Sequence, residues 1–573
     1  MISIAVIGGG VAGLSAAHEL VERGFAVSVY EQGVRFGGKA RSTEVAGSGT
    51  GGRRDLPGEH GFRFFPHFYW HLPDTMARIP FAGNRHGVRD NLVSAPRGLY
   101  ARDGAPGVEV DTGLPRSRAD LELMVHNWLH DTMQLEASDY EVFGRRMWQL
   151  LTSSKWRRVA EYEAIAWTDF VDANRRSPQY AAWFGSAMTR TLIAASGDQA
   201  SARTVGDVLV QLLIGSVVPG ASDDRLLNGP TNDVWIDPWR AYLASRGVTF
   251  QSGARAVRVR CDATSVTGID IDAGSSTTTV TADAYVLAVP VEVAARLLDA
   301  GVVALDSSLD RVPQLATHVQ WMNGIQLYLT QDLPLVHGHI VFVNSPWGLT
   351  ALSQQQFWPN TPLADRGDGT VRGVLSVDIS RWDCPGIIPG AGLGKKAQDC
   401  SFEEIRDEVW GQLQRWLNVG RDPVLRTGTL HSASLDSDIV PFVAGVPATN
   451  NEPLLVNDRG TWGLRPEAHT RIPNLFLAAD YVRTFTDLAT MEGANEAARR
   501  ATNAILGATG STARPCEVRD PHEPSWLWPF RAADAWRFRR GLPWRDAPLH
   551  PAARALVRVA AVRGGRGARG GHG

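Results

Sequence analysis

Six residues near the start of the chain, Gly8-Gly9-Gly10-Val11-Ala12-Gly13, limit the possible folds more than any other stretch. Before them runs Ile2-Ser3-Ile4-Ala5-Val6-Ile7, a short apolar run of β character; after them Leu14, Ala17, Leu20 and Val21 follow a helical period until Gly24. Ala26-Val27-Ser28-Val29-Tyr30 then forms a second strand ending at Glu31. Strand, glycine turn, helix, strand is a parallel βαβ unit, in which Gly8 makes the tight turn, Gly10 lets backbone approach a pyrophosphate, and Gly13 lets helix pack on strand. Val11 and Ala12 open the helix whose N-terminus faces the diphosphate, and Glu31, 18 residues after Gly13, is placed to accept from ribose hydroxyls with Gln32 beside it.

FAD and NAD both suit such a unit. Gly37-Gly38-Lys39-Ala40-Arg41 follows closely, with glycines for close approach and two basic groups near the diphosphate, which favours FAD. Near the other end, Asn474-Leu475-Phe476-Leu477-Ala478-Ala479-Asp480 delivers a carboxylate from a strand, suited to a ribityl hydroxyl. Met491-Glu492-Gly493-Ala494 opens a helix whose N-terminus can stabilise negative charge on a reduced isoalloxazine. Gly392-Leu393-Gly394 lacks a third glycine, so no second dinucleotide is expected, and reoxidation falls to an external acceptor, oxygen or a quinone.

These stretches resemble the FAD-dependent amine oxidoreductase and carotenoid desaturase superfamily, with a closer likeness to plant-type phytoene and ζ-carotene desaturases and their bacterial relatives. The desaturases carry an acid-x-Gly segment running into aromatics, and Gly58-Glu59-His60-Gly61-Phe62-Arg63-Phe64-Phe65 is similar to it; so are Ala479-Asp480-Tyr481 and Thr490-Met491-Glu492-Gly493-Ala494. Ala479 stands in place of the usual glycine, Lys39 of the usual arginine and Arg63 of a histidine. The resemblance implies an α/β fold. A Rossmann-type FAD domain would be assembled from 1–75, 230–300 and 460–510, with a mixed α+β substrate domain from 76–229 and 301–459. It also implies flavin contacts from Gly58, Glu59, His60, Gly61 and Val257 besides those above, and makes His60 and Arg63 the titratable candidates for catalysis.

Removing hydride from a C–H bond to flavin needs position, an apolar slot and a proton acceptor, with no metal and no side-chain nucleophile. No H-E-x-x-H or G-x-S-x-G constellation appears, and the cysteines (Cys261, Cys384, Cys400, Cys516) lack ligand spacing, so no metal is expected and a reducing compartment is the simplest home. Three readings compete: a desaturase of an elongated apolar isoprenoid, polyene or lipid; an isomerase or dehydroxylase of a similar lipid; and an amine or amino-acid oxidase. Tryptophans 128, 148, 167, 183, 321 and 358 suit an apolar substrate, though for any single one an ordinary core position is the favoured reading. Many amine oxidases keep a lysine near the flavin on a substrate-domain strand; Val319 to Thr330, the best candidate strand, has none.

With 573 residues, 44% hydrophobic and 21% charged, the chain suits two or three globular units, and a net charge of -2 offers no footprint for nucleic acid. A helical texture is expected from about Leu121 to Ile214, with Leu121, Met124, Val125, Trp128 and Leu129 on one face. Only four lysines accompany 54 arginines, a bias consistent with a GC-rich genome. No run of about 18 apolar residues is present and the first strand starts at Ile2, so a cytoplasmic protein is expected, either free or peripheral at the inner face of a membrane. The stretch 511–573 forms a Trp/Arg-rich extension: from Ala513 onward 12 arginines face 5 acids, interleaved with Trp526, Trp528, Trp536 and Trp544. It either packs on the body or makes peripheral contact with anionic lipid.

Overall fold

The computed structural model describes residues 1–111, 135–187, 189, 195–217, 224–443, 445–521 and 523–546. The amphipathic face expected at 121–129, including Trp128, lies outside the described residues, as does the chain beyond 546. The chain divides into two compact units, one of 1–107, 224–456 and 461–520, the other of 108–223, 457–460 and 521–573.

The first unit is built on two sheets. One is parallel and five-stranded, in the order Thr249–Gln251, Ala26–Tyr30, Ser3–Ile7, Ala284–Leu287, Leu475–Leu477. Its strands come from the beginning, middle and end of the chain, so pairing rather than sequence proximity assembles it. The central strands are apolar at successive positions, and Ala5, Val6, Ile7, Val286 and Leu287 are all buried, as a parallel sheet covered on both faces requires. Helix Val11–Val21 packs on helix Met491–Thr509, which joins the two ends of the chain. This is the α/β architecture that the sequence leads one to expect. Beside it, Arg255–Cys261, Val266–Asp272 and Thr277–Val280 form a small antiparallel sheet.

In the second sheet, Asn323–Leu329 lies between Gly373–Ile379 and Leu430–Leu435, both antiparallel to it. Alternation along these strands sets two faces. Ile325, Leu327, Val377 and Ile379 join a core with Ile405, Val409, Leu413 and Trp416 of helix Phe402–Leu417. Ser401 and Glu404 close a reciprocal capping box at the start of that helix. Gly324, Gln326, Tyr328, Ser376 and Asp378 alternate onto the opposite face, where the Tyr328 hydroxyl donates to Pro57 O at 2.8 Å and Gly324 N to His60 O at 3.2 Å. The strand Leu56–Glu59 and its continuation therefore cross this second face.

The second unit is helical: Ala137–Thr152, Lys155–Ala160, Ala202–Val217 and Trp528–Phe538. Arg157, fully buried, pairs with the buried Asp534 at 2.9 Å, and Arg203 with Glu163 at 2.9 Å. The stretch from 511 thus divides between the units. Cys516 N donates to Asn503 Oδ1 and Arg519 N to His71 Nε2 in the first, whereas Trp528–Phe538 packs on Lys155–Ala160 in the second. Trp167 and Trp358 are core residues, as is Trp183, while Trp321 is half-buried edge-on to Trp382.

Candidate functional site

The glycine turn is made almost wholly of backbone. Gly8 has φ +105°, and a Cβ there would lie 2.3 Å from Ala288 O; one on Gly13 would lie 1.9 Å from Gly8 O. Packing alone therefore demands glycine at both positions. Gly10 differs: its φ of -75° suits any residue, and the nearest heavy atom to an added Cβ is Gly38 Cα at 3.5 Å. Nothing among the described residues requires glycine there, whereas a ligand lying against the backbone would. As the N-cap of helix Val11–Val21, Gly10 offers no side chain to the first-turn amides of Val11 and Ala12, which stay available to an anion. Gly37 bridges to Gly10, its N–H donating to Gly9 O at 2.9 Å, so the two glycine segments run side by side.

The Glu31 carboxylate accepts from Gly9 N and Gly33 N, both at 2.7 Å, so it braces the turn as well as standing at the strand end. Burial raises its pKa against the pull of those two amides. Gln32 next to it is exposed. The Asp480 carboxylate makes no hydrogen bond among the described residues; its carbonyl accepts from Arg465 at 2.7 Å. Met491 and Ala494 sit in the first turn of helix Met491–Thr509, capped by the Thr490 hydroxyl, which accepts from Gly493 N. Glu492 turns away from that helix start, accepting from the amides of Trp70, His71 and Leu72 at 2.7 to 2.8 Å, and so caps helix His71–Ala77 from a remote segment. Val257 lies on the small antiparallel sheet and is 43% exposed.

Neither cation expected beside the diphosphate is free. The Arg41 guanidinium bonds Glu452 at 2.9 Å and pairs with Asp438, while Lys39 donates to Pro453 O and stands 3.9 Å from Glu292. Desolvation in this crowded region makes such pairing the lower-energy arrangement for a buried cation.

Around Glu59 to Arg63 the site turns from backbone to charged side chains. Glu59 accepts from Thr231 N and Oγ1 at 2.9 Å, and burial pushes its pKa up to about 7 against the attraction of Arg63. Gly58 is close-packed: its Cβ would lie 2.7 Å from Thr43 O. Arg63 donates to Lys39 O at 2.7 Å and Ala40 O at 3.3 Å, and burial lowers its pKa while Glu59 and Asp378 oppose the shift. His60 Nδ1 stands 2.8 Å from Asp436 Oδ2, off the line of a hydrogen bond, and 3.5 Å from Asp438 Oδ2. Burial would lower its pKa, but those two carboxylates outweigh burial and raise it. Asp378 lies where a Cβ on Gly61 would come within 2.8 Å and one on Gly324 within 3.0 Å of its Oδ1, so both glycines make room for it. That oxygen has no hydrogen-bond partner, and burial pushes the Asp378 pKa up to about 7 against Arg63 and then His60. Among the described residues His60, Asp438 and Glu452 offer metal-ligand atoms within 4.8 Å of one another, but Arg41 already brings a positive charge to both acids.

The flavin containing amine oxidoreductase family matches residues 11–506. The chain belongs to this family. A ζ-carotene desaturase from Synechocystis sp. (strain ATCC 27184 / PCC 6803 / Kazusa) is 26% identical over 312 residues, 50% of this chain and 57% of that protein, so the similarity spans little more than half the relative's length. Among solved structures, an oxidoreductase from Methanosarcina mazei shares the fold at TM-score 0.55 and 12% identity, over 88% of this chain and 100% of its own. Cyclohexylamine oxidase from Brevibacterium oxydans IH-35A does so at 0.54 and 14%, over 89% and 99%. The protein is thus an FAD-dependent oxidoreductase, and the residues present fit FAD: an uncapped helix start, a glycine no internal contact explains, and an unpaired carboxylate at Asp480. Gly10, Val11, Ala12, Gly37, Gly38, Glu31 and Asp480 would hold it.

Four participants in the polar cluster escape sequence reasoning: Asp378, Asp436, Asp438 and Glu452. Asp-Ser-Asp at 436–438 is a visible acid pair, but its partners Arg41 and His60 lie hundreds of residues away, and no local period points to them.

Proposed function

We propose that the enzyme dehydrogenates carbon–carbon bonds of an elongated apolar isoprenoid, polyene or lipid, with oxygen or a quinone as the external acceptor. The observation that carries this reading is the strand Asn323–Leu329. It is buried at every position, its polar side chains are Asn323, Gln326 and Tyr328, and none of them takes up a proton at physiological pH; the strand has no lysine to serve an amine substrate. The 26% identity to a ζ-carotene desaturase and the Glu59-to-Phe65 segment support the same substrate class. FAD, when bound, supplies the two-electron acceptor for a hydride leaving carbon. We assign the accompanying proton to His60, whose pairing with Asp436 favours the charged imidazolium. Arg63 holds the segment by its bonds to Lys39 O and Ala40 O and balances the surrounding carboxylates.

Product analysis tests this. The holoenzyme, incubated with linear polyenes in detergent and supplied with a quinone, should release product two hydrogens poorer than substrate, with one quinone consumed per double bond formed. An isomeric product with no acceptor consumed would mark an isomerase, and loss of the hydroxyl from a hydroxylated polyene offered in parallel a dehydroxylase; either outcome would overturn the dehydrogenase reading.

A further inference from the structure

We propose that the helical second unit carries a membrane-docking face, and that its partner is the surface of an anionic bilayer. Helix Trp528–Phe538 buries Asp534, as the residue before it, Leu527, is buried, and exposes a stripe that continues past its end: Trp528, Ala532, Trp536 and Arg540 follow at intervals of four, all of them exposed. Trp528 is 69% and Trp536 52% accessible, values far from those of the core tryptophans Trp167, Trp235, Trp239 and Trp347, which are fully buried. On helix Lys155–Ala160, which packs against this one, Trp156 is 62% accessible. Exposing large indoles to water is costly, and a monomeric soluble protein seldom does so in clusters.

The charges say which partner fits. The acids of this segment are spent internally: Asp534 on Arg157 and Ser154, Glu523 on Arg158 and Arg531, Asp546 on the Trp148 indole N–H. Arg539 and Arg540 remain exposed at the helix end, with the Arg540 guanidinium 3.9 Å over the Trp536 ring. The sequence after residue 546 adds five arginines (554, 558, 563, 566, 569) and no acid. Indoles settle at headgroup depth, and arginines beside them meet anionic headgroups. No helix of the described residues is long and apolar enough to cross a membrane, so the contact would be peripheral. A protein partner would need acids to match these arginines; the rest of this chain carries a net charge of -9, so a second copy is the competing occupant that the test separates from a bilayer.

Sedimentation of the full-length holoenzyme with vesicles tests the face independently of the reaction. Vesicles of phosphatidylcholine with one quarter phosphatidylglycerol should carry the protein down at low salt, while pure phosphatidylcholine should not. Substituting Trp528→Glu and Trp536→Glu together should weaken that binding at least tenfold, leaving flavin content and circular dichroism unchanged, and Trp528→Phe with Trp536→Phe should restore most of it. Wild-type protein that ignores the anionic vesicles, or a double glutamate variant that binds as wild type does, would overturn the proposal. A wild-type dimer that the glutamates convert to monomer, without vesicle binding in either, would assign the face to a second copy instead.

Discussion

At the glycine turn the chain presents almost no side chains: Gly8, Gly9, Gly10 and Gly13 leave backbone amides and a helix start, braced by the one carboxylate of Glu31. Around His60 and Arg63 the reverse holds, with Glu59, Asp378, Asp436 and Arg63 packed into a buried cluster. The first region is built by leaving space, the second by arranging charge. Their tolerances should therefore differ: the turn fails when an atom is added, the cluster when one is removed.

Gly13→Ala tests the first half most severely. Its Cβ would overlap Gly8 O at 1.9 Å, so helix and strand must separate, and we expect no soluble folded protein on expression. Gly10→Ala separates packing from recognition, because its Cβ meets nothing closer than 3.5 Å. The variant should fold with an unchanged apo melting temperature yet bind FAD at least about 100-fold more weakly, about 2.7 kcal/mol, by equilibrium titration. If Gly10→Ala binds FAD like wild type, the space at Gly10 serves no ligand.

In the cluster, Arg63→Met should destabilise the holoenzyme by about 3 kcal/mol in urea unfolding, since Glu59 and Asp378 lose their common cation. A milder effect is expected from pH. Both carboxyls have pKa values raised to about 7 by burial, above their unfolded values, so the unfolded chain releases protons that the folded one keeps. Their contribution to stability is fully present in acid, below the unfolded pKa values, and is lost as pH rises to about 7. Glu59→Gln with Asp378→Asn should flatten this slope; a wild-type melting temperature that rises across that interval and is unaffected by the pair would contradict the assignment. The smallest effect, about 1 kcal/mol, is expected for Thr490→Ala, which removes the cap of helix Met491–Thr509.

The same contrast explains what could be read in advance. Strand, turn and helix at 3–21 are local, and hydrophobic period and glycine spacing are enough to place them. Even the remote strand Leu475–Leu477 is legible, because a continuous apolar run ending in an acid suits a parallel sheet. The cluster is not local. Arg41 meets Glu452, His60 meets Asp436, and Glu492 caps residues 70–72, each pair brought together by folding over hundreds of residues. Lys39 and Arg41 point to phosphate when read as sequence, and Glu292, Asp438 and Glu452 claim them once the chain is folded. In the aromatic tail, one face of helix Trp528–Phe538 packs inward and the other stays exposed, a division that the composition alone does not reveal.

Anaerobic titration of the bound FAD tests the dehydrogenase reading most directly. Oxidised holoenzyme, mixed without oxygen with a linear polyene in detergent micelles and separately with simple primary amines, is followed by its flavin absorbance. The account predicts stoichiometric bleaching by the polyene and none by the amines. Bleaching by an amine with imine formed, and none by any polyene, would contradict it.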